Sequence, residues 1–411
     1  MDARIDVSSR LGILTRLFGP LPRRLTLFPL ACLMFVTLAL WPGVASQRAQ
    51  AQTNFKLLHT FGVVPGDGIA PGGGLIRAGG SLYGTTYGGG SYGGTVFKVD
   101  SKGKETILYN FRSGSDGIGP FAGVVRDTAG NLYGTTSEGG ANGFGSVFEV
   151  SATGEETVLY SFQGGSDGAN PYAPLVRDSY GNLYGTTSIS PPNPSGTVFK
   201  VDSSGQETVL YRFLGPPDGF DPSAGLLRDS LGNFYSTTPL GGAASFGIVY
   251  KVSAAGKETV LHNFTGGLAD GAYSYSSLLR VAGNLYGTAE FGGTYGVGVV
   301  FKLDPHGNET LLYSFLGGPV DGAYPNSGLL RDAAGNFYGT TEIGGLYGWG
   351  TVFKLDPTGK ETVLHNFTGG ADGSIPIGGV VRDSLGNLYG VTQEGGYGSP
   401  IGAGTVYELT N

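Results

Sequence analysis

Hydrophobic and polar positions alternate in short runs that break at glycine-rich segments, and the same series of runs recurs down the chain. In one copy, Glu105-Thr-Ile-Leu-Tyr-Asn-Phe111 mixes β-branched and aromatic residues in a strand pattern. A Gly/Ser/Asp-Gly loop leads to Pro120, and Ala122–Arg126 reads as a short apolar strand. Asp127–Asn131 is a tight turn with Gly and Asn where positive φ is needed. Leu132–Thr136 is a third strand, Ser137–Gly145 a long loop, and Val147–Val150 a fourth strand. Ser151–Gly154 turns the chain into the next copy. Nothing in the unit has helical periodicity.

Copies span 55–104, 105–155, 156–206, 207–257, 258–308, 309–360 and 361–411, seven in all. A fixed period of this length marks a solenoid, propeller or array. Four antiparallel strands per unit, seven times over, predict an all-β, seven-bladed propeller. The chain opens with a lone outer-type strand, Phe55–Phe61, and closes with only the other three. The N-terminal strand is therefore expected to complete the last blade and close the ring, which removes a free edge. Long loops and tight turns then segregate to opposite faces, and a binding surface belongs on the long-loop face.

Composition alters this picture in three places. Gly is 77 of 411 residues, yet hydrophobic residues make up 40%, which argues against disorder. Net charge is −7, but the first 51 residues hold six Arg and two Asp, leaving the remainder near −11 with no basic stripe. Nucleic acid is not expected as a partner. Residues 1–51 run from basic to apolar to Ala49-Gln50-Ala51, the pattern of a secretory signal cleaved after Ala51. The alternative is an uncleaved anchor, since the apolar run is long enough to span a bilayer. Cleavage would leave a monomeric propeller, residues 52–411, outside the cytoplasm and free of the membrane. It would also remove Cys32, Met1 and Met34, and with them all sulfur.

The pattern Asp-Ser-x-Gly-Asn-Leu-Tyr-Gly-Thr-Thr, then Gly-Gly, Gly-Thr-Val-Phe-Lys-Val-Asp and Glu-Thr-Val-Leu-Tyr-Ser-Phe resembles the Gloeo/Verruco tandem repeat of bacterial extracellular proteins. The resemblance runs from Phe55 onward. It implies export and brings no catalytic residues. The Gly-Asn-Leu-Tyr turn is more weakly similar to NHL and lactonase-type propellers.

Features shared by every copy read as scaffold. Asp67, Asp116, Asp167, Asp218, Asp270, Asp321 and Asp372 each precede Gly. They are expected to form Asx-type turns, with calcium as the lesser reading and no cofactor. Arg77, Arg126, Arg177, Arg228, Arg280, Arg331 and Arg382 end the inner strands. They are expected to pair with neighbouring Asp, an account weakened at Arg77 and Arg280, which no Asp follows. His59, His262 and His365 occupy the Tyr slot of the outer strand on separate blades, which argues against a joint metal site. The aromatics Tyr92, Phe144, Phe246, Tyr295, Tyr347 and Tyr397 recur after Gly-Gly and are expected between blades.

Differences between copies are more informative. The residue after the loop proline includes Phe121, Tyr172, Tyr275 and Asn326, and the second long loop carries Glu138, Glu290, Glu342 and Glu394. Trp349 lies in the same loop of the sixth copy. Aromatic faces with carboxyls and an amide suit a sugar or peptide. The expectation is a non-catalytic module that binds a polysaccharide, peptide or surface protein through these nine residues. The alternative is a propeller hydrolase or lyase that uses loop carboxylates, with Glu290 and Glu342 as the pair to measure.

Overall fold

The computed structural model describes residues 53–189, 195–396 and 402–410. The expected signal segment lies outside them, as do Tyr397 and part of the Ser188–Pro194 loop. Among the described residues no helix is long and apolar enough to cross a membrane. The fold is all-β: seven four-stranded antiparallel blades form a ring, a seven-bladed β-propeller. In one blade Val125–Arg126, Leu132–Thr136, Ser146–Val150 and Glu156–Ser161 run from the axis outward.

Closure follows the expected split. Asn54–Thr60 pairs antiparallel with Thr405–Thr410, which continues through Leu388–Glu394 to Ser374–Arg382. The register sets Asn54 opposite Thr410 and Thr60 opposite Thr405, so the first and last strands of the chain share one blade.

The inner strands are shorter than expected. Val125–Arg126 has only two paired residues, because the segment before it packs against neighbouring blades around the axis. A Cβ on Gly123 would stand 2.4 Å from the carbonyl oxygen of Gly74 in the adjacent blade, so small residues are required where backbones meet. The long loops, by contrast, are partly ordered as ribbons, with Gly219–Phe220 paired to Leu240–Gly241 and Gly322–Ala323 to Ile343–Gly344.

Hydrophobic cores lie between blades rather than within them. Tyr133, Val147 and Phe162 of one blade meet Leu175, Leu183, Phe199 and Val201 of the next. Each core centres on an edge-to-face aromatic pair, such as Phe111 with Phe148 and Phe162 with Phe199, at centroid distances of 5.0 and 5.1 Å. This explains the glycine of the Leu-Tyr-Gly-Thr-Thr strand: a Cβ on Gly134 would meet the Phe148 ring at 2.5 Å. The two threonines divide their roles. Thr85 donates to the Ala122 carbonyl of the next blade at 2.8 Å, and Thr86 shares a hydrogen bond with Thr95 in its own blade.

The Asp-x-x-Gly-Asn-Leu-Tyr turn is also scaffold. The Asp178 carboxylate accepts the backbone and side-chain N–H of Asn182, each at 2.9 Å, and the Tyr184 hydroxyl at 3.0 Å. These bonds hold the Asp178 carboxyl below its usual range against the opposing effect of burial. Across the seam, Arg228 of the next blade lies over the Tyr184 ring at 5.5 Å. Arg77, Arg126, Arg177, Arg228 and Arg280 thus look back to a tyrosine of the preceding blade, whereas Arg331 lies over Phe337 of its own blade. Arg280, which has no Asp after it, pairs with Asp229 at 3.6 Å. Where the turn lacks Asp it shortens to a two-residue hairpin, as at Ala282-Gly283, both with positive φ.

Candidate functional site

The residue before the loop proline has positive φ in every blade. Those residues are Ala70, Gly119, Asn170, Asp221, Tyr273, Tyr324 and Ile375, with Ser274 in place of proline in the fifth blade. Backbone bonds impose this conformation. The Asn170 N–H donates to the Phe144 carbonyl of the preceding blade, and the Asn170 carbonyl accepts the Ser188 N–H. The same two-sided clamp holds Tyr273 between Phe246 and Glu290. Chemically varied side chains are thus presented at the long-loop end of each inner segment, two residues from the positions after the proline. A left-handed backbone at a non-glycine residue is uncommon, and its repetition here marks a scaffold rule that variable side chains exploit.

Several of the expected residues come together. Phe121 and Tyr172 meet edge to face at 6.0 Å, with Tyr87 against Phe121 at 6.2 Å. Tyr275 is half-buried, and the charges of Glu290, Asp221 and Glu342 add to its burial in raising its hydroxyl pKa. The Tyr172 hydroxyl is pushed up to about 12 by burial, then by the charge of Glu138. Asn326 donates its side-chain N–H to the Glu342 carboxyl. Burial, with the charge of Glu342, raises Glu290 to about 8, so it carries a proton at neutral pH.

Asp221 was missing from the expected set. Burial raises it to about 6, and its charge acts on both Tyr172 and Tyr275. Its sequence signal was available: the position before the proline varies as freely as the one after it, and holds Gly119 and Asn170, residues that favour positive φ.

The four loop glutamates occupy two register positions. Glu138 and Glu394 sit in the ribbon opposite Ile118 and Ser374, whereas Glu290 and Glu342 stand one residue earlier, next to the strand. Trp349 packs over the next blade: a Cβ on Gly369 would meet its indole at 2.6 Å. Phe144 and Phe246 cover Gly164 and Gly266 in the same way. Tyr92, Tyr295 and Tyr347 occupy different positions and are exposed, not packed between blades.

Seven four-stranded blades built on one repeated scaffold define a repeat-built propeller. The chain belongs to the Gloeobacter/Verrucomicrobia repeat family, whose model matches residues 42–189 and 175–407. No curated protein matches the sequence. Among solved structures, the extracellular domain of a hybrid two-component system from B. thetaiotaomicron is similar at a TM-score of 0.52 and 10% identity, over 84% of this chain and 39% of that one. A puromycin-hydrolyzing peptidase of Mycobacterium tuberculosis is similar at 0.50 and 12%, over 85% of this chain and 54% of the other. A protein assigned as a gluconolactonase gives 0.42 and 14%, over 78% and 96%. At these identities the likeness concerns the fold alone, and the chain spans about half or less of the first two proteins.

Proposed function

We propose that this is an exported, non-catalytic binding module that takes a carbohydrate at the mouth of its long-loop face. The observation that carries the reading is the convergence of Tyr172 and Tyr275 with Asp221, Glu290 and Glu342. Aromatic faces stack on the apolar faces of sugar rings, and a protonated Glu290 both donates to and accepts from hydroxyls. The Asn326 amide, bonded to Glu342, adds a fixed polar partner.

A second reading rests on one observation. Glu290 at about 8 beside Glu342 is an acid–base contrast of the kind glycoside hydrolysis uses. It requires release of reducing ends, with a rate that falls as pH rises through the Glu290 value. Glu290→Gln abolishes that release, whereas a pure binder keeps its affinity to within a few-fold.

Trp349 is the only tryptophan after residue 51, and it packs beside Ile375, the clamped residue of the seventh mouth position. Titrating oligosaccharides against indole emission is expected to give a saturable shift. Tyr172→Ala or Tyr275→Ala should weaken binding by about 1 kcal/mol, a several-fold rise in Kd. Calorimetric binding that is insensitive to both substitutions removes the mouth as the site.

A further inference from the structure

Each outer strand places a Tyr or His beside a loop Asp, with the first Glu of the next outer strand completing a group of three across the seam. Where the slot holds tyrosine, its hydroxyl bonds the Asp. Tyr160 donates to Asp167 at 2.8 Å and Tyr211 to Asp218 at 2.8 Å. His262 is likewise 3.1 Å from Asp270, whose other oxygen accepts the backbone N–H and hydroxyl of Thr265. At His365, bonded to Asp372 at 3.1 Å, Phe55 stands where the other seams have Glu and stacks on the imidazole at 4.4 Å.

The group at His59 differs from all of these. Its Nε2 stands 3.8 Å from Asp67 Oδ1 and 3.7 Å from Glu105 Oε2, beyond hydrogen-bond range in both cases. Asp67 is only 4% exposed, and neither its Oδ1 nor His59 Nε2 has a hydrogen-bond partner. Oδ2 of Asp67 accepts the Val63 N–H at 3.3 Å, which fixes the carboxylate with Oδ1 aimed at the histidine. The three ligand atoms lie within 4.8 Å of one another, as do those of His262, Asp270 and Glu309, but there the His–Asp hydrogen bond is made. Leaving such buried groups unpartnered is costly.

We propose that His59, Asp67 and Glu105 form a site for a divalent transition metal, with zinc the first candidate, that staples the seam where the ring closes. Ligand atoms about 2.0–2.1 Å from a tetrahedral ion lie about 3.3–3.5 Å apart, so the two histidine–carboxylate distances, 3.8 and 3.7 Å, need to contract by only a few tenths of an ångström. One imidazole nitrogen with two carboxylates suits zinc and its neighbours better than calcium or magnesium, which take oxygen ligands. The ligands come from the N-terminal closing strand, the loop after it and the outer strand of the first blade. The metal therefore links the seventh blade to the first. Separate blades do not preclude a site, because one histidine meets carboxylates from its own loop and from the adjacent blade.

The test uses the full chain, stripped with chelator, dialysed and titrated with zinc chloride by calorimetry. One zinc per chain is expected, weakened by more than about 100-fold in His59→Tyr, since loss of a direct ligand exceeds the cost of losing an outer-shell partner. Tyrosine is what four of the other seams carry, so the variant should keep its fold, and zinc should raise the melting temperature of the unmodified protein alone. Asp67→Asn is the second ligand variant, and His262→Tyr should leave binding unchanged. The proposal is overturned by absence of saturable binding, by binding that survives His59→Tyr and Asp67→Asn, or by binding lost only in His262→Tyr.

Discussion

Removing residues 54–61 is expected to destabilise the protein by several kcal/mol and to expose an edge that promotes aggregation. The segment supplies the whole outer strand of the seventh blade, paired from Asn54–Thr410 to Thr60–Thr405. Phe61, fully buried, anchors the seam core against Phe97 at 5.0 Å, and Phe55 stacks on His365. Truncating a buried phenylalanine alone costs about 3–5 kcal/mol, so Phe61→Ala serves as the smaller version of the same experiment. The deletion also exposes the unpaired edge of Thr405–Thr410, a template for association with other chains. Denaturant melts and light scattering measure both effects. A deleted protein that melts with the intact one and stays monodisperse contradicts closure by the first strand.

The second large effect is on stability against pH. In the seams at Tyr109, Tyr160 and Tyr211, burial and then the charge of the neighbouring Asp raise Glu156, Glu207 and Glu258 from 4.5 to about 7, with Arg212 partly offsetting this at Glu207. These carboxyls hold their protons in the folded ring when the unfolded chain has already released them. Their contribution is complete below the unfolded value and is lost as pH rises through about 7. The turn aspartates act in the opposite sense. Asp127, Asp178, Asp229, Asp332 and Asp383 are lowered from 3.8 in the fold, so their contribution is lost on acidification below that value. Stability should therefore peak near about pH 5 and decline toward about pH 8.5. A tenfold displacement of an ionisation is worth about 1.4 kcal/mol, and after discounting for partial exposure about 1 kcal/mol per seam remains. Glu207→Gln keeps the shape without the charge and should flatten the decline. A melting temperature that rises steadily from pH 5 to about 8.5 is the opposing result.

Much of the architecture is legible in the sequence because each blade states it independently. The alternation in Glu156–Ser161 and the turn chemistry of Asp178–Asn182 are local signals, and seven repetitions separate them from chance. The split ends of the chain make closure readable as well. What was not legible depends on contacts across seams. That Arg280 answers Asp229, about one repeat earlier, follows only from the ring geometry. The seam groups join a loop Asp to a Glu of the following outer strand, and each reads alone as a turn residue or a strand start. A one-residue offset separates Glu138 from Glu290, and its meaning depends on the ribbon pairing of Glu138 with Ile118, which the sequence does not show. Asp221 has only a faint signal, the Gly119 and Asn170 at the equivalent positions, because the clamp at these positions is made by backbone bonds.

The central claim is that ligand enters at the clamped mouth on the long-loop face. Hydrogen–deuterium exchange with and without a binding oligosaccharide tests it directly. Protection is expected in 170–174, 219–225 and 272–278, which carry Tyr172, Asp221 and Tyr275, while the turns at 127–131 and 178–182 exchange as before. Protection confined to those turns would place the ligand on the opposite face and contradict the account.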